Sequence, residues 1–149
     1  QHFQELFERL FPQGRAELVL SDPTDVLNTG VDIEAQPRGK RLKKLSLLSG
    51  GETALTSLAF LFAIFKSRPS PFYFLDEVEA ALDDVNLHRF LNMLREFRGD
   101  SQLIVITHQK RTMEIADVLY GVSMQASGVS RVVSQKLEEA ERLARTGTA

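Results

Sequence analysis

Phe3, Leu6, Phe7 and Leu10 recur at helical spacing, and Pro12 with Gly14 closes the pattern, so the spacing predicts an opening helix over 1–11. The period then shortens to two. Arg15-Ala16-Glu17-Leu18-Val19-Leu20 and Val31-Asp32-Ile33-Glu34-Ala35 alternate as half-buried strands do, with turn chemistry at Ser21-Asp22-Pro23 and Asn28-Thr29-Gly30 between them. This predicts an antiparallel meander. Gln36 to Lys44 follows as a basic loop holding Arg38, Lys40, Arg41, Lys43 and Lys44. A solvated loop and a contact for an anion or DNA both fit that composition.

From Glu52 no Gly or Pro interrupts the chain until Pro69. Leu55, Leu58, Ala59 and Phe62 share one helical face, and Phe60, Leu61, Ile64 and Phe65 make the other faces apolar too, so a buried helix is expected. Pro69-Ser70-Pro71 ends it, and the continuous run Phe72-Tyr73-Phe74-Leu75 reads as a strand covered on both faces. Asp84 to Phe97 is an amphipathic helix by its Leu87, Phe90, Leu91 and Leu94, with Val85 on the same apolar set. Leu103-Ile104-Val105-Ile106 is a second buried strand. Strand, helix, strand in this order implies a right-handed crossover between parallel neighbours. Val118 to Gln125 and Val129 to Lys136 alternate around Ser127-Gly128, which predicts a hairpin on the sheet's edge, and Lys136 to Arg145 reads as a charged final helix. The fold class is therefore α/β, with parallel core strands, flanking helices and antiparallel edge strands.

Composition narrows the possibilities. In 149 residues, 43% hydrophobic, there is enough apolar chain for one domain with a core. The net charge of -2 gives no global attraction for DNA, so any nucleic-acid contact needs a local basic patch. Without a cysteine there is no disulfide framework and no thiolate metal site. Gln1-His2-Phe3-Gln4-Glu5 is polar and acidic, unlike a signal peptide, and the longest apolar run, Leu58 to Phe65, is far short of the roughly 20 residues that cross a bilayer. A soluble, cytoplasmic chain with no membrane contact is expected.

Candidate chemistry gathers at two places. Ser49, Gly50 and Gly51 enter the long helix at the positive end of its dipole, with backbone N–H groups that no bulky side chain screens. They suit a phosphate, although a simple N-cap followed by two turn glycines has the same appearance. Asp76 and Glu77 stand at the carboxyl end of the Phe72–Leu75 strand, and His108 closes the next one, where parallel sheets collect their chemistry. Asp76 can hold Mg²⁺ through water, and Glu77 can orient or deprotonate a water attacking phosphorus. A solvated strand end would also carry two acids, and His108 would serve equally as a packed or capping residue. Asp83, in the loop after the acids, adds a further carboxylate.

These motifs, taken in order, resemble those of ABC-type ATPases. Leu48-Ser49-Gly50-Gly51-Glu52 is similar to their signature motif, Phe72-Tyr73-Phe74-Leu75-Asp76-Glu77 to their Walker B, Ala81-Leu82-Asp83 to their D-loop, and His108 to their switch histidine. Gly14 to Leu20, Arg68 to Phe72 and Met113 to Met124 further resemble the C-terminal head segment of bacterial SMC chromosome-segregation proteins. Thr53 departs from the basic residue usual after the signature Glu. No Gly-x-x-x-x-Gly-Lys-Ser/Thr occurs in the sequence, so the loop that cradles β- and γ-phosphates is absent.

The resemblance implies a half-head of 1–149. Within it, 1–12 would end a coiled-coil arm, 13–47 form the strand meander and 48–66 the signature helix. Residues 70–117 would hold the Walker B, D-loop and switch histidine, and 118–149 the late hairpin and C-terminal helix. It implies ATP and Mg²⁺ as cofactors, with Ser49, Gly50, Gly51 and Glu52 binding ATP in trans, Asp76 assisting the metal, Glu77 and His108 catalytic, and Asp83 coupling two sites. The implied partners are an N-terminal SMC head segment, a second SMC head, a kleisin subunit and chromosomal DNA reached through the full complex. The implied setting is nucleoid-associated, and the implied role is ATP-dependent head dimerisation and ATP hydrolysis in chromosome condensation and segregation, with no activity from this chain alone. A kleisin-docking module without activity of its own, and a RecN-like repair ATPase segment, are the alternatives.

Overall fold

A computed structural model describes residues 1–136. The final helix expected over Lys136 to Arg145 lies outside the described residues apart from its first position. The chain divides into two compact units at the 106/107 boundary, which falls inside the 70–117 segment.

The first unit begins with α1 (His2–Leu10), whose Phe3, Leu6, Phe7 and Leu10 are all buried. The meander follows as β1 (Arg15–Leu20), β2 (Val31–Gln36) and β3 (Lys43–Lys44), antiparallel in that order. Ala16 and Ala35 face each other across β1 and β2, and both are buried. Between α1 and β1, a Cβ on Gly14 would come within 2.9 Å of the Phe7 ring and of the Phe11 carbonyl oxygen, so only glycine lets Phe7 seat there. The basic stretch 36–44, expected to be a loop, is loop only in part, because Lys43 and Lys44 pair with Ala35 and Glu34 as a third strand. Lys44 Nζ also reaches Asp32 Oδ2 at 3.0 Å.

Helix α2 (Gly50–Ser67), strand β4 (Phe72–Asp76), helix α3 (Asp84–Phe97) and strand β5 (Gln102–Ile106) complete this unit. β4 and β5 pair in parallel, Asp76 opposite Ile106, as the strand–helix–strand pattern predicts. The core lies between α1, α2, α3 and one face of β4. Aromatic pairs fill it: Phe3 meets Phe60 at 5.9 Å between ring centres, Phe62 meets Phe90 at 6.1 Å and Phe97 at 4.7 Å, and Phe65 stacks on Tyr73 at 3.9 Å. Each such pair contributes about 0.5–1.5 kcal/mol beyond its buried area. Glu5 with Lys66 and Arg9 with Glu96 tie α1 to α2 and α3 at the rim, where exposure keeps ion pairs weak.

Four further sequence expectations change. β4 is buried on one face only: Tyr73 and Leu75 are covered, while Phe72 and Phe74 are 50% and 64% exposed, and Ile106 of β5 is 53% exposed. α2 is likewise not buried all round, since Ile64 is exposed, and Val85 of α3 points away from the core. A continuous apolar run reveals that both faces of an element tolerate an apolar neighbour; it does not reveal whether this chain supplies both neighbours. Finally, the hairpin forms a separate two-stranded sheet, where an edge position on the parallel sheet was expected.

That hairpin belongs to the second unit, which holds the short helix α4 (Lys110–Met113) and the strands β6 (Val118–Met124) and β7 (Ser130–Lys136). Gly128 at φ +79 turns the chain, with its N–H donating to the Gln125 carbonyl at 2.9 Å. Tyr120, Val122, Met124 and Val132 are all well exposed.

Thr56 of α2 is fully buried, and its hydroxyl finds no hydrogen-bond partner among the described residues. An unpaired buried hydroxyl costs more than the apolar group that replaces it. Thr56→Val is therefore expected to stabilise the chain by about 1 kcal/mol, read as a higher midpoint in urea unfolding. A lowered midpoint would show that the hydroxyl holds a stabilising bond.

Candidate functional site

The approach to α2 is set by a single 3₁₀ turn, Leu45–Leu47, after which Leu48 and Ser49 extend at ψ 162 and 159. Ser49 is the N-cap. Its N–H donates to Glu52 Oε2 at 3.2 Å and its side chain accepts from the Glu52 N–H, the two halves of a capping box, and its hydroxyl also donates to Glu52 Oε2 at 2.7 Å. The other carboxylate oxygen of Glu52 receives Lys40 Nζ at 2.8 Å. Lys40 and the Ser49 donors together hold the Glu52 carboxyl below its ordinary pKa, Lys40 having the largest effect, against the opposing effect of partial burial. Thr53, the departure from the family pattern, donates from its hydroxyl to the Leu45 carbonyl at 3.4 Å and ties the helix to the turn before it.

The first backbone bond of this turn runs from Thr53 N–H to Ser49 O at 2.8 Å, so the N–H groups of Gly50 and Gly51 stand ahead of the helical ladder. Neither glycine has a positive φ. A Cβ on Gly50 would meet nothing within 4 Å, and one on Gly51 would make only ordinary contacts with Ala81 O and Asn86 Nδ2. Among the described residues nothing requires glycine at either position, although glycine in a helix costs about 1 kcal/mol against alanine. Space left open beside the first turn of a helix is what an external anion would need.

A cleft of about 470 Å³ opens beside this turn, lined by Ser49, Gly51, Glu52, Asp83, Asn86 and Arg89. Phe11, Pro12, Pro37 and Arg38 make its remaining wall. Asp83 is there as the N-cap of α3: Asn86 N–H donates to Asp83 Oδ1 at 2.8 Å, and Asn86 Nδ2 donates to Oδ2 at 3.2 Å. Arg89 Nη1 in turn donates to Asn86 Oδ1 at 3.2 Å. The fold thus brings the Ser49 turn and the Asp83 loop, far apart in sequence, to one cleft. Sequence reasoning named both but passed over Asn86 and Arg89, whose signal was their spacing of three and six residues from the capping aspartate.

Asp76 and Glu77 do not line that cleft. They stand exposed at the end of β4, where the Glu77 N–H continues the parallel ladder by donating to Ile106 O at 2.9 Å. Glu77 then turns the chain at φ 45, with its carbonyl accepting from Ala80 N–H at 3.1 Å. A left-handed conformation in a residue other than glycine costs free energy and is concentrated at functional sites. His108 is exposed and belongs to the second unit, next to a turn in which Gln109 N–H donates to Thr107 Oγ1 at 2.9 Å.

Among the described residues no group of three or more His, Cys, Asp and Glu side chains could enclose a metal ion. The paired acids at the end of β4 fit the other way of holding Mg²⁺, in which one or two carboxylates are completed by water and substrate phosphates. Among the described residues, too, no helix is long and apolar enough to cross a membrane.

The chromosome partition protein Smc of Bacillus subtilis is 62% identical over 138 residues, which cover 93% of this chain and 12% of that protein. A solved head domain of Smc from Pyrococcus furiosus, with an extended coiled coil and bound to the C-terminal domain of ScpA, superposes at a TM-score of 0.86 with 46% identity. The match covers 99% of this chain and 37% of that one. A chain from a structural study of ATP-driven dimerization and DNA-stimulated activation of SMC ATPases matches at a TM-score of 0.83 with 44% identity, over 99% of this chain and 89% of that one. The chain thus has the mixed α/β fold of SMC heads and spans about an eighth of the curated relative it matches. With residues 15–131 matching the model described as the RecF/RecN/SMC N terminal domain, this chain belongs to that family.

Proposed function

We propose that this chain is the C-terminal segment of an SMC ATPase head and that it acts in chromosome partitioning when joined to the segment carrying the Walker A loop. The matching family model is described by its N terminal domain. The motif order supports the C-terminal assignment instead: signature turn, strand ending in Asp-Glu, D-loop and histidine follow one another, and no Gly-x-x-x-x-Gly-Lys-Ser/Thr is present. The observation that carries the reading is the Ser49–Gly51 turn: its two glycines stand ahead of the helical ladder, and among the described residues nothing lies within 4 Å of a Cβ at Gly50.

In this mechanism Ser49, Gly50 and Gly51 donate to the phosphates of a nucleotide held on a second head. Two heads then close over ATP. Asp83 lies in the same cleft and couples one site to the other. Asp76 would supply a carboxylate to Mg²⁺, which when bound would offset phosphate charge. Glu77 accepts the proton of the attacking water. His108 donates to the terminal phosphoryl oxygen, and phosphate release lets the heads part, moving the arm that residues 1–12 terminate.

The open face of β4 and β5, with Phe72, Phe74 and Ile106 exposed, supports a missing covering segment. The N-terminal head segment would supply it. A kleisin is the further partner, by analogy with the ScpA-bound head, and the apolar face of the hairpin at Tyr120, Val122 and Met124 suits its docking. DNA contact and nucleoid association belong to the full complex.

The test is ATP turnover by this chain alone and after mixing with the N-terminal head segment. Activity is expected only in the mixture. Equal turnover by this chain alone, or none in a mixture shown to associate and to bind ATP, would overturn the split-head reading.

A further inference from the structure

The two Ser49 donors that the site offers to a phosphate are already taken. Glu52 Oε2 accepts both the Ser49 N–H and the Ser49 hydroxyl, so a resident carboxylate stands where an anion is to arrive. An uncompensated negative charge there would repel phosphate, the more strongly because the Glu52 side chain is only 16% exposed.

Lys40 answers that charge. Its ammonium lies 2.8 Å from Glu52 Oε1, on the oxygen that Ser49 does not use. The turn that delivers it is built for the purpose: Lys40 N–H donates to Pro37 O at 3.0 Å, Gln36 Nε2 donates to Lys40 O at 2.8 Å, and Gly39 takes φ +75, which most other residues resist. The same turn places Pro37 and Arg38 on the wall of the cleft.

We propose that Lys40 is a positioning residue of the signature site: it neutralises Glu52 and draws its carboxylate toward the basic turn, so that Ser49 can exchange Glu52 for a phosphate of the opposing head. The proposal rests on the Ser49 turn binding nucleotide in trans. It gives the basic stretch, which the sequence left open between a solvated loop and an anion contact, a role that needs no direct contact with the ligand. Among the described residues, Lys40 is the cation paired with Glu52.

The experiment measures ATP-dependent head dimerisation and single-turnover hydrolysis with Mg-ATP in the complete protein carrying both head segments. Lys40→Ala is expected to raise the ATP concentration for half-maximal dimerisation about tenfold, with hydrolysis per dimer unchanged at saturating ATP. Lys40→Arg, which keeps the charge, should remain within about threefold of the parent. The decisive variant is Lys40→Ala combined with Glu52→Gln. Glutamine still caps Ser49 but carries no charge to neutralise, so the double variant should recover most of the loss. If it stays as weak as Lys40→Ala, Lys40 contacts the nucleotide itself or only braces the turn, and the proposal fails. No effect of Lys40→Ala also overturns it. A parent protein that shows no ATP-dependent dimerisation would overturn the signature-site reading, and the proposal with it.

Discussion

Glu77→Gln in the assembled head is expected to slow ATP hydrolysis about 10²- to 10⁴-fold while leaving Mg-ATP binding and head dimerisation in place. β4 carries Asp76 to the end of the parallel pair, the Glu77 N–H makes the last ladder bond to Ile106, and the chain then leaves the sheet through a left-handed residue. The conformation at φ 45 is retained although neither glycine nor asparagine occupies the position, which argues that the carboxylate is worth its strain. Glutamine has the same branching at Cβ and the same length, so the turn and its bonds to Ile106 and Ala80 survive the change. Only the capacity to accept a proton is lost. The nucleotide contacts proposed for Ser49, Gly50 and Gly51 involve a different part of the chain, so dimers should persist and even accumulate. Single-turnover hydrolysis beside equilibrium nucleotide binding separates the two effects. Near-parental turnover would remove Glu77 from the role of general base and leave the strain at position 77 to the turn alone.

Much of this site was legible because each motif is short-range. The Ser49 turn announces itself through Ser-Gly-Gly before an unbroken helix, and α2 starts at Gly50 as that pattern requires. The strand from Phe72 runs one residue past its predicted end at Leu75, and the helix starts at Asp84 as predicted: Pro69 and Pro71 fix one start, and Asp83 as N-cap fixes the other. The alternation in β1 and β2 was equally clear, since a period of two needs no partner to be recognised.

What the pattern could not carry was anything that depends on a second element. Phe72 and Phe74 look like core residues but lie on the open face of β4, because burial is a property of the neighbour as well as of the side chain. Lys43 and Lys44 become strand only by pairing with β2, and two lysines give no strand signal alone. The pairing of Lys40 with Glu52 crosses a turn, a short strand and a 3₁₀ turn, and no local period records it. The meeting of Ser49 and Asp83 at one cleft is likewise a tertiary fact, visible only after α2 and α3 have packed through Phe62 and Phe90.

Ser49→Arg is expected to abolish ATP-dependent dimerisation while each head still binds nucleotide, and it tests the other half of the mechanism. Ser49 is exposed at the mouth of the cleft and caps a helix whose backbone ladder begins only at the Thr53 N–H. An arginine there loses the N-cap oxygen, which costs about 1 kcal/mol of helix stability, a small part of the roughly 5–15 kcal/mol that holds a domain folded. The fold should therefore survive, with Glu52 left to cap the turn and to pair with Lys40. The approach in front of Gly50 should not survive, because the new side chain fills the space into which a Cβ there meets nothing. Its positive charge would attract phosphate, so a loss of dimers despite that attraction points to steric exclusion from the opposing head. Introducing the change beside Glu77→Gln removes hydrolysis as a cause of dimer loss. Sedimentation with saturating Mg-ATP should then show dimers for Glu77→Gln and monomers for the double variant, with nucleotide bound in both. Dimers in the double variant would place the phosphate contact elsewhere than at Ser49, and with it the surface through which one head recognises the nucleotide of the other.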